Sequence, residues 1–331
     1  MDSVPMQYYN LNKILLQMIG LWPDQSGCRF TKWSLRIGYN CFFLFGLISV
    51  LEFFIHHNFK FERLIEMLPV SVALFVLIFT NVVFYMKEDC FMLLWQQMMD
   101  DWSLERSEEE LKIKMYFASV SHTVIKIISS LMTFGVICFI AITTNMSKIL
   151  DFLSPLNETR SPLLPFPVMF IFDENSYYII LFLQHFIVVL SFFYGVILLI
   201  TFITYVVNVY GMFTEIGYKL RSALPNNMEF SRETIGSNDE MYYKSMCLCI
   251  EQHNKAIQFA KIIDEYYGIA FATVLISLIF MASPTLFTLG DVELVDYKSS
   301  AEIVCIVCFF FVISYIGQKL IDLSVEVGDR A

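Results

Sequence analysis

The stretch YYIILFLQHFIVVLSFFYGVILLITFITYVV, residues 177–207, runs for about 31 residues without an aspartate, glutamate, lysine or arginine. A hydrocarbon core is crossed by about 20 residues of helix. The surplus must tilt, or emerge into water as a continuing helix. The residues that follow, from Asn208 through Tyr210, Thr214 and Glu215 to Leu220, turn polar while keeping helix-compatible spacing, which favours emergence. Five further apolar runs are long enough to cross: 37–55, 68–86, 124–143, 266–289 and 301–321. Apolar residues make up 57% of the chain and charged residues 16%, with a mean hydropathy of +0.61, so a membrane is its solvent. Membrane strands would be short segments of alternating polarity, whereas these runs are continuous. The expected class is all-α, a polytopic membrane helical bundle with six transmembrane helices and long cytosolic helical extensions. The polar, Pro-containing start and the length of the first apolar run do not fit a signal peptide.

The loop between the third and fourth runs sets the direction of every crossing. It carries Asn145-Met146-Ser147 and Asn157-Glu158-Thr159, two N-glycosylation acceptor triplets that matter only on the outside. Pro155, Pro162, Pro165 and Pro167 fix φ and remove backbone donors, so 145–176 is expected to be irregular. With that loop outside, sixteen Lys and Arg fall on the inside and five on the outside, Lys126 lying within a crossing. That asymmetry also places the N-terminus in the cytosol. The net charge of −10 argues against a nucleic-acid partner. The expected organisation is a single membrane domain, 1–331. Residues 1–36 form a cytosolic segment, 37–207 hold crossings 1 to 4 with the outside loop 144–176, 208–265 are cytosolic and helical, 266–321 hold crossings 5 and 6, and 322–331 are a cytosolic tail.

In the N-terminal segment, Leu11, Ile14, Leu15, Met18 and Ile19 form one helical face, Gly20 ends it, and Trp22 suits a membrane interface. A short surface-lying helix is expected. Within 87–123, Phe91, Leu94, Trp95, Met98 and Trp102 share a face, which predicts an amphipathic helix extending from a membrane helix, with Glu108-Glu109-Glu110 as its solvated face. That run lacks EF-hand spacing and the turn glycine of a calcium loop. Lys126 is expected to snorkel inward, and Glu52, His56 and His57 outward. A break is expected from Leu224-Pro225-Asn226-Asn227 through Gly236-Ser237-Asn238-Asp239, followed by a cytosolic helix over 241–265 that enters the fifth crossing.

Enzymatic or metal chemistry finds no foothold. The histidines at 56, 57, 122, 185 and 253 make neither His-Glu-x-x-His nor an i, i+4 pair, and no phosphate-cradling Gly-rich loop or Gly-x-Ser-x-Gly is present. Cys305 and Cys308 lie in an apolar helix, where packing is the ordinary use of a thiol. None of the eight cysteines lies in an outside loop. No cofactor and no metal are expected.

Three separated segments resemble the insect odorant receptors, particularly those of ants, bees and wasps: Ile19-Gly20-Leu21-Trp22-Pro23 before the first crossing, Cys249 to Ala260 with His253 and Phe259-Ala260 before the fifth, and Ser314-Tyr315-Ile316-Gly317-Gln318-Lys319 in the sixth. The resemblance implies a ligand-tuning subunit that binds small volatile organics and gates a non-selective cation channel. It further implies a hetero-tetramer with a shared co-receptor, in the plasma membrane of sensory neurons. It also implies a seventh crossing whose outer part lines the pore. This chain stops at Gly328-Asp329-Arg330-Ala331 after the sixth, so the expectation is a subunit that carries no odorant-evoked current of its own. A gustatory receptor is the alternative within the same topology. A G-protein-coupled receptor would need an outside N-terminus and the Asp-Arg-Tyr and Asn-Pro-x-x-Tyr motifs, and a transporter would show internal repeats, neither of which is seen.

The resemblance implies a ligand pocket in the outer halves of crossings 2, 3, 4 and 6. Helical spacing there selects Val72, Phe75 and Phe79, then Phe134, Ile137, Cys138 and Ala141, then Tyr177, Tyr178, Leu181 and Gln184, then Val304 and Cys308, with His185 as a polar fixer. Apolar stripes at this spacing also serve plain helix packing, and His185 also suits a hydrogen bond to a neighbouring helix. On sealed vesicles, Asn145→Gln and Asn157→Gln should together abolish any N-glycan, and single cysteines within 208–262 should react with a probe applied from the cytosolic side. Protection of 208–262 from that probe contradicts the orientation.

Overall fold

The computed structural model describes residues 4–22, 29–56, 61–153, 164, 177–223, 235–290 and 297–329, and among them there are helices and no strands. In chain order the helices are α1 Val4–Met18, α2 Arg29–His56, α3 Phe61–Met86, α4 Glu88–Ser103, α5 Glu108–Thr144, α6 Met146–Leu153, α7 Tyr177–Ala223, α8 Ile235–Gly290 and α9 Tyr297–Asp329. Among the described residues, five helices have segments long and apolar enough to cross a bilayer: Phe30–Leu51, Met67–Met86, Glu108–Thr144, Tyr177–Ser222 and Tyr243–Phe287. The sixth expected crossing lies within α9.

The central element is α7. Its 47 residues form one helix that passes position 207 without a break, as its surplus length requires. Half of its apolar window is buried inside the protein, against 6% for α5. A helix that is apolar all round belongs in the middle. α7 packs against α5, α8 and α9, while α3 packs against α2 and α8. The largest fully buried side chains, Tyr194, Tyr205, Tyr266, Tyr267, Phe43, Phe84, Phe91 and Phe259, come from α2, α3, α4, α7 and α8 and belong to one core. Phe91 lies edge-on to Tyr205 at 6.1 Å, and Tyr205 edge-on to Phe259 at 6.2 Å. In the apolar spans, hydroxyls bond inward to their own helices: Thr80, Thr201 and Thr204 each donate to the carbonyl four residues earlier.

Several boundaries differ from the sequence expectation. α1 is docked on the bundle by one side rather than lying free of it, with Ile14 and Met18 left exposed on the other. Its Tyr9, Asn12 and Leu16 are buried against the bundle, as is Trp22 beyond its end. Trp22 meets Trp95 edge-on at 4.5 Å, and Tyr9 meets Trp95 and Trp102 at 6.1 and 6.4 Å. The buried face, Tyr9, Asn12, Leu16 and Ile19, is rotated from the expected one: of the expected set only Ile19 is buried, Leu11 and Leu15 are half-buried, and Ile14 and Met18 are exposed. Residues 87–123 are likewise two helices rather than one. Leu104 turns extended, and Ser107 starts α5 with a capping box: its hydroxyl accepts from the Glu110 amide at 3.3 Å, and the Glu110 carboxylate accepts from the Ser107 amide at 3.2 Å. Glu108-Glu109-Glu110 is therefore the first turn of α5, where acidic residues suit the positive end of the helix dipole.

Within the expected irregular loop, 146–153 form the short helix α6, since the first proline comes only at Pro155. α8 begins at Ile235, so Gly236 to Asp239 sit in its opening turns, where small polar residues are tolerated, rather than in a break. α9 continues through most of the expected tail to Asp329. The side chains of Glu52 and His56, residue His57, Asn157 and most of 154–176 lie outside the described residues.

Gly20 has φ +71, and a Cβ there would stand 2.9 Å from the Lys32 carbonyl oxygen. Its own carbonyl accepts from Arg36 Nε at 2.7 Å, which ties the end of α1 to α2. Gly20→Ala should cost about 1–2 kcal/mol through left-handed backbone strain alone, and the backbone clash adds to it. Thermal unfolding of the purified variant should show this loss, whereas Gly38→Ala, with open space around its Cα, should not.

Candidate ligand site and a buried ionic knot

At the α6 end of the bundle, the sequence candidates separate into two groups. Leu181, Gln184 and His185 share one face of α7 and are buried towards its neighbours. His185 Nε2 and Thr143 Oγ1 of α5 lie 2.7 Å apart in a buried hydrogen bond, and Phe139 stands edge-on to the imidazole at 6.3 Å. This forms a small polar fixture in an apolar wall. Val72, Cys138 and Tyr177 are half-buried. Phe75, Phe79, Phe134, Ile137, Ala141, Tyr178, Val304 and Cys308 present exposed surface, Tyr178 at 74% the most. Phe75 and Phe79 stack on each other at 6.4 Å, and Tyr177 and Tyr178 meet edge-on at 5.3 Å. Thr143 and Phe139 are site partners absent from the sequence selection. They lie on the α5 face next to the chosen one, and only the α5–α7 packing reveals them. Asn145 is exposed at the end of α5, with its side-chain amide donating to Ala141 O at 2.9 Å.

At the α4 end, the same two helices carry a buried ionic knot. Lys114 Nζ of α5 bonds the Asp101 carboxylate of α4 and donates to Asn208 Oδ1 of α7 at 3.0 Å. Arg106 holds Asp101 at 2.7 Å and Glu215 of α7 at 3.1 Å. Lys219 pairs with Glu215 at 3.0 Å and donates to Gln252 of α8 at 3.0 Å. Beside this knot, Asn12 of α1 accepts from Thr201 at 3.0 Å, and a cavity of about 10 Å³, the size of one water, is lined by Tyr9, Lys114, Ser121, Thr204 and Asn208. Burial alone would raise the Asp101 carboxyl, but the adjacent Lys114 and Arg106 cations hold it below the ordinary value. Glu215 with Lys219, four apart, is a pairing visible in the sequence. The pairings of Asp101 with Lys114 and of Arg106 with Glu215 depend on the packing of three helices.

The family model described as "7tm Odorant receptor" matches residues 60–330. The chain belongs to the 7tm odorant receptor family. The receptor's fold is also that of a solved relative, the insect olfactory receptor OR5 from Machilis hrabei, at a TM-score of 0.62 and 12% identity, covering 98% of this chain and 80% of that one. The same OR5 in complex with eugenol matches at 0.66 and 11%, covering 99% and 81%. No curated protein matches the receptor. Family and fold are those of a membrane receptor, not of an enzyme.

Asp101→Asn in this receptor leaves the buried Lys114 without its counter-ion and should cost about 3 kcal/mol. Because the folded Asp101 titrates below its unfolded value, its contribution is full above the unfolded value and is lost as pH falls through the folded one. In melting experiments the gap between wild type and Asp101→Asn should therefore be constant near neutrality and close only in the acid range, while the exposed Glu109→Gln should show no gap.

Proposed function

We propose that the chain is the ligand-tuning subunit of an odorant-gated cation channel. It takes small volatile organic molecules at the α6 end and assembles with the family's shared co-receptor in the plasma membrane of sensory neurons, its N-terminus in the cytosol. The observation that carries this is the buried His185–Thr143 pair, set beside Leu181, Gln184 and Phe139 in a mostly apolar helix interface. A small apolar ligand gains affinity from aromatic and aliphatic walls and orientation from one or two polar groups. The family supports an odorant as ligand, and the related OR5 has been solved in complex with eugenol. The exposed candidates Phe75, Phe134, Ile137 and Tyr178 would shape the wall from the sides left open in the isolated chain.

The test is binding by the purified chain in lipid nanodiscs against a panel of volatile alcohols, esters and phenols, read as a ligand-dependent rise in melting temperature. At least one class should stabilise the protein. His185→Phe and Thr143→Val should weaken hydroxyl-bearing ligands about fivefold to tenfold, the value of one hydrogen bond, and leave hydrocarbons of the same size unchanged. A panel without any stabilising member, or a ranking untouched by both substitutions, overturns the proposal.

A further inference from the structure

A second cavity of about 290 Å³ opens between the start of α2 and the junction of α3 with α4, lined by Lys32, Trp33, Arg36, Tyr85 and Glu88. Two cations and one carboxylate leave it with a net positive charge of one, from Lys32, Arg36 and Glu88. Lys32 bonds Glu88, and Arg36 Nη1 reaches Glu88 at 3.1 Å. Arg36 is 5% exposed, its Nε is used on Gly20 O, and its Nη2 has no hydrogen-bond partner among the described residues. A buried guanidinium nitrogen without a partner is a costly group that an added acceptor would satisfy. The guanidinium lies over the Tyr85 ring at 5.3 Å, and Tyr85 meets Trp33 edge-on at 5.1 Å.

The position selects the acceptor. Trp33 and Tyr85 are part-exposed and sit where the apolar spans Phe30–Leu51 and Met67–Met86 reach the same membrane face, with Phe30 and Met86 outward beside them. Aromatic rings with one apolar side and one wet side mark the headgroup level. Basic pockets between membrane helices at that level bind anionic headgroups. We infer that this cavity seats the phosphate of an anionic phospholipid, with Lys32 and Arg36 as its donors, Trp33 and Tyr85 flanking the glycerol, and Glu88 as the internal anion it competes with. At about 290 Å³ the cavity has room for a headgroup and not for acyl chains, which would lie against the exposed apolar side of α2. Arg36 also holds the end of α1 through Gly20, so an occupied cavity would reinforce the joint between the N-terminal helix and the bundle.

The full chain, reconstituted in nanodiscs of phosphatidylcholine with a minor share of phosphatidylserine or phosphatidylinositol 4-phosphate and then released into mild detergent, should retain one anionic phospholipid by native mass spectrometry. Millimolar inorganic phosphate should not replace it. Lys32→Gln should reduce that retention about fivefold, the value of one cation at a membrane surface. Glu88→Gln, which removes the competing carboxylate, should increase it, so the inference stays open to contradiction if Lys32→Gln does not fold. Equal retention of phosphatidylcholine and anionic lipid, no gain in Glu88→Gln, or capture of free phosphate without lipid overturns it.

Discussion

A lysine ammonium buried among apolar helices is tolerable only if an anion and a hydrogen-bond acceptor are brought to it, and at Lys114 that requirement draws three helices together. Asp101 comes from α4 and Asn208 from α7, while Arg106 bridges Asp101 to Glu215 one helical stretch further along α7. Removing one partner of such a pair costs several times more than the intact pair contributes. The knot therefore fixes the relative register of α4, α5 and α7 more than it adds net stability. Aromatic rings of α1 and α4 pack beside it: Lys114 Nζ lies over the Trp102 ring at 5.4 Å, and Tyr9 meets Trp102 at 6.4 Å.

The pairing of α5 with α7 links the two ends of the protein. His185 and Thr143 join them near α6, and Lys114 and Asn208 join them near α4. On α7 the two contacts are separated by about 35 Å at 1.5 Å per residue. Over 197–207 the helix is buried almost all round, with Ile197, Ile200, Ile203 and Val206 in the interior, while Phe192 and Gly195 nearer the α6 end are exposed. Close packing of this kind transmits strain from one contact to the next.

The helical class and five of the crossings could be read from the sequence because run length and continuity are local properties. So could the continuity of α7, since 31 apolar residues followed by helix-spaced polar ones leave no place for a turn. Partner identity could not. Spacing on α1 selected Ile14 and Met18, which are exposed, whereas the side chains that meet Trp95 and Trp102 are Tyr9 and Trp22, and only packing reveals that rotation. The split at Leu104 was available in Ser107-x-x-Glu110, a capping box that the three consecutive glutamates concealed as a surface run. Among the ligand candidates, spacing grouped residues by face but did not say which way each face turns. Leu181, Gln184 and His185 are buried towards the neighbouring helices, while Phe134 and Ile137 present exposed surface, because the rotation of a helix is set by its neighbours' shapes rather than by its own period.

The central claim is that α7 is one uninterrupted helix from the candidate ligand site to the ionic knot. Hydrogen exchange on the reconstituted receptor tests it most directly. Amides over 201–216 should be as strongly protected as those over 185–200, with exchange rising only towards Ala223. Rapid exchange setting in just after Val207 would show that the helix ends at the membrane and would contradict the account.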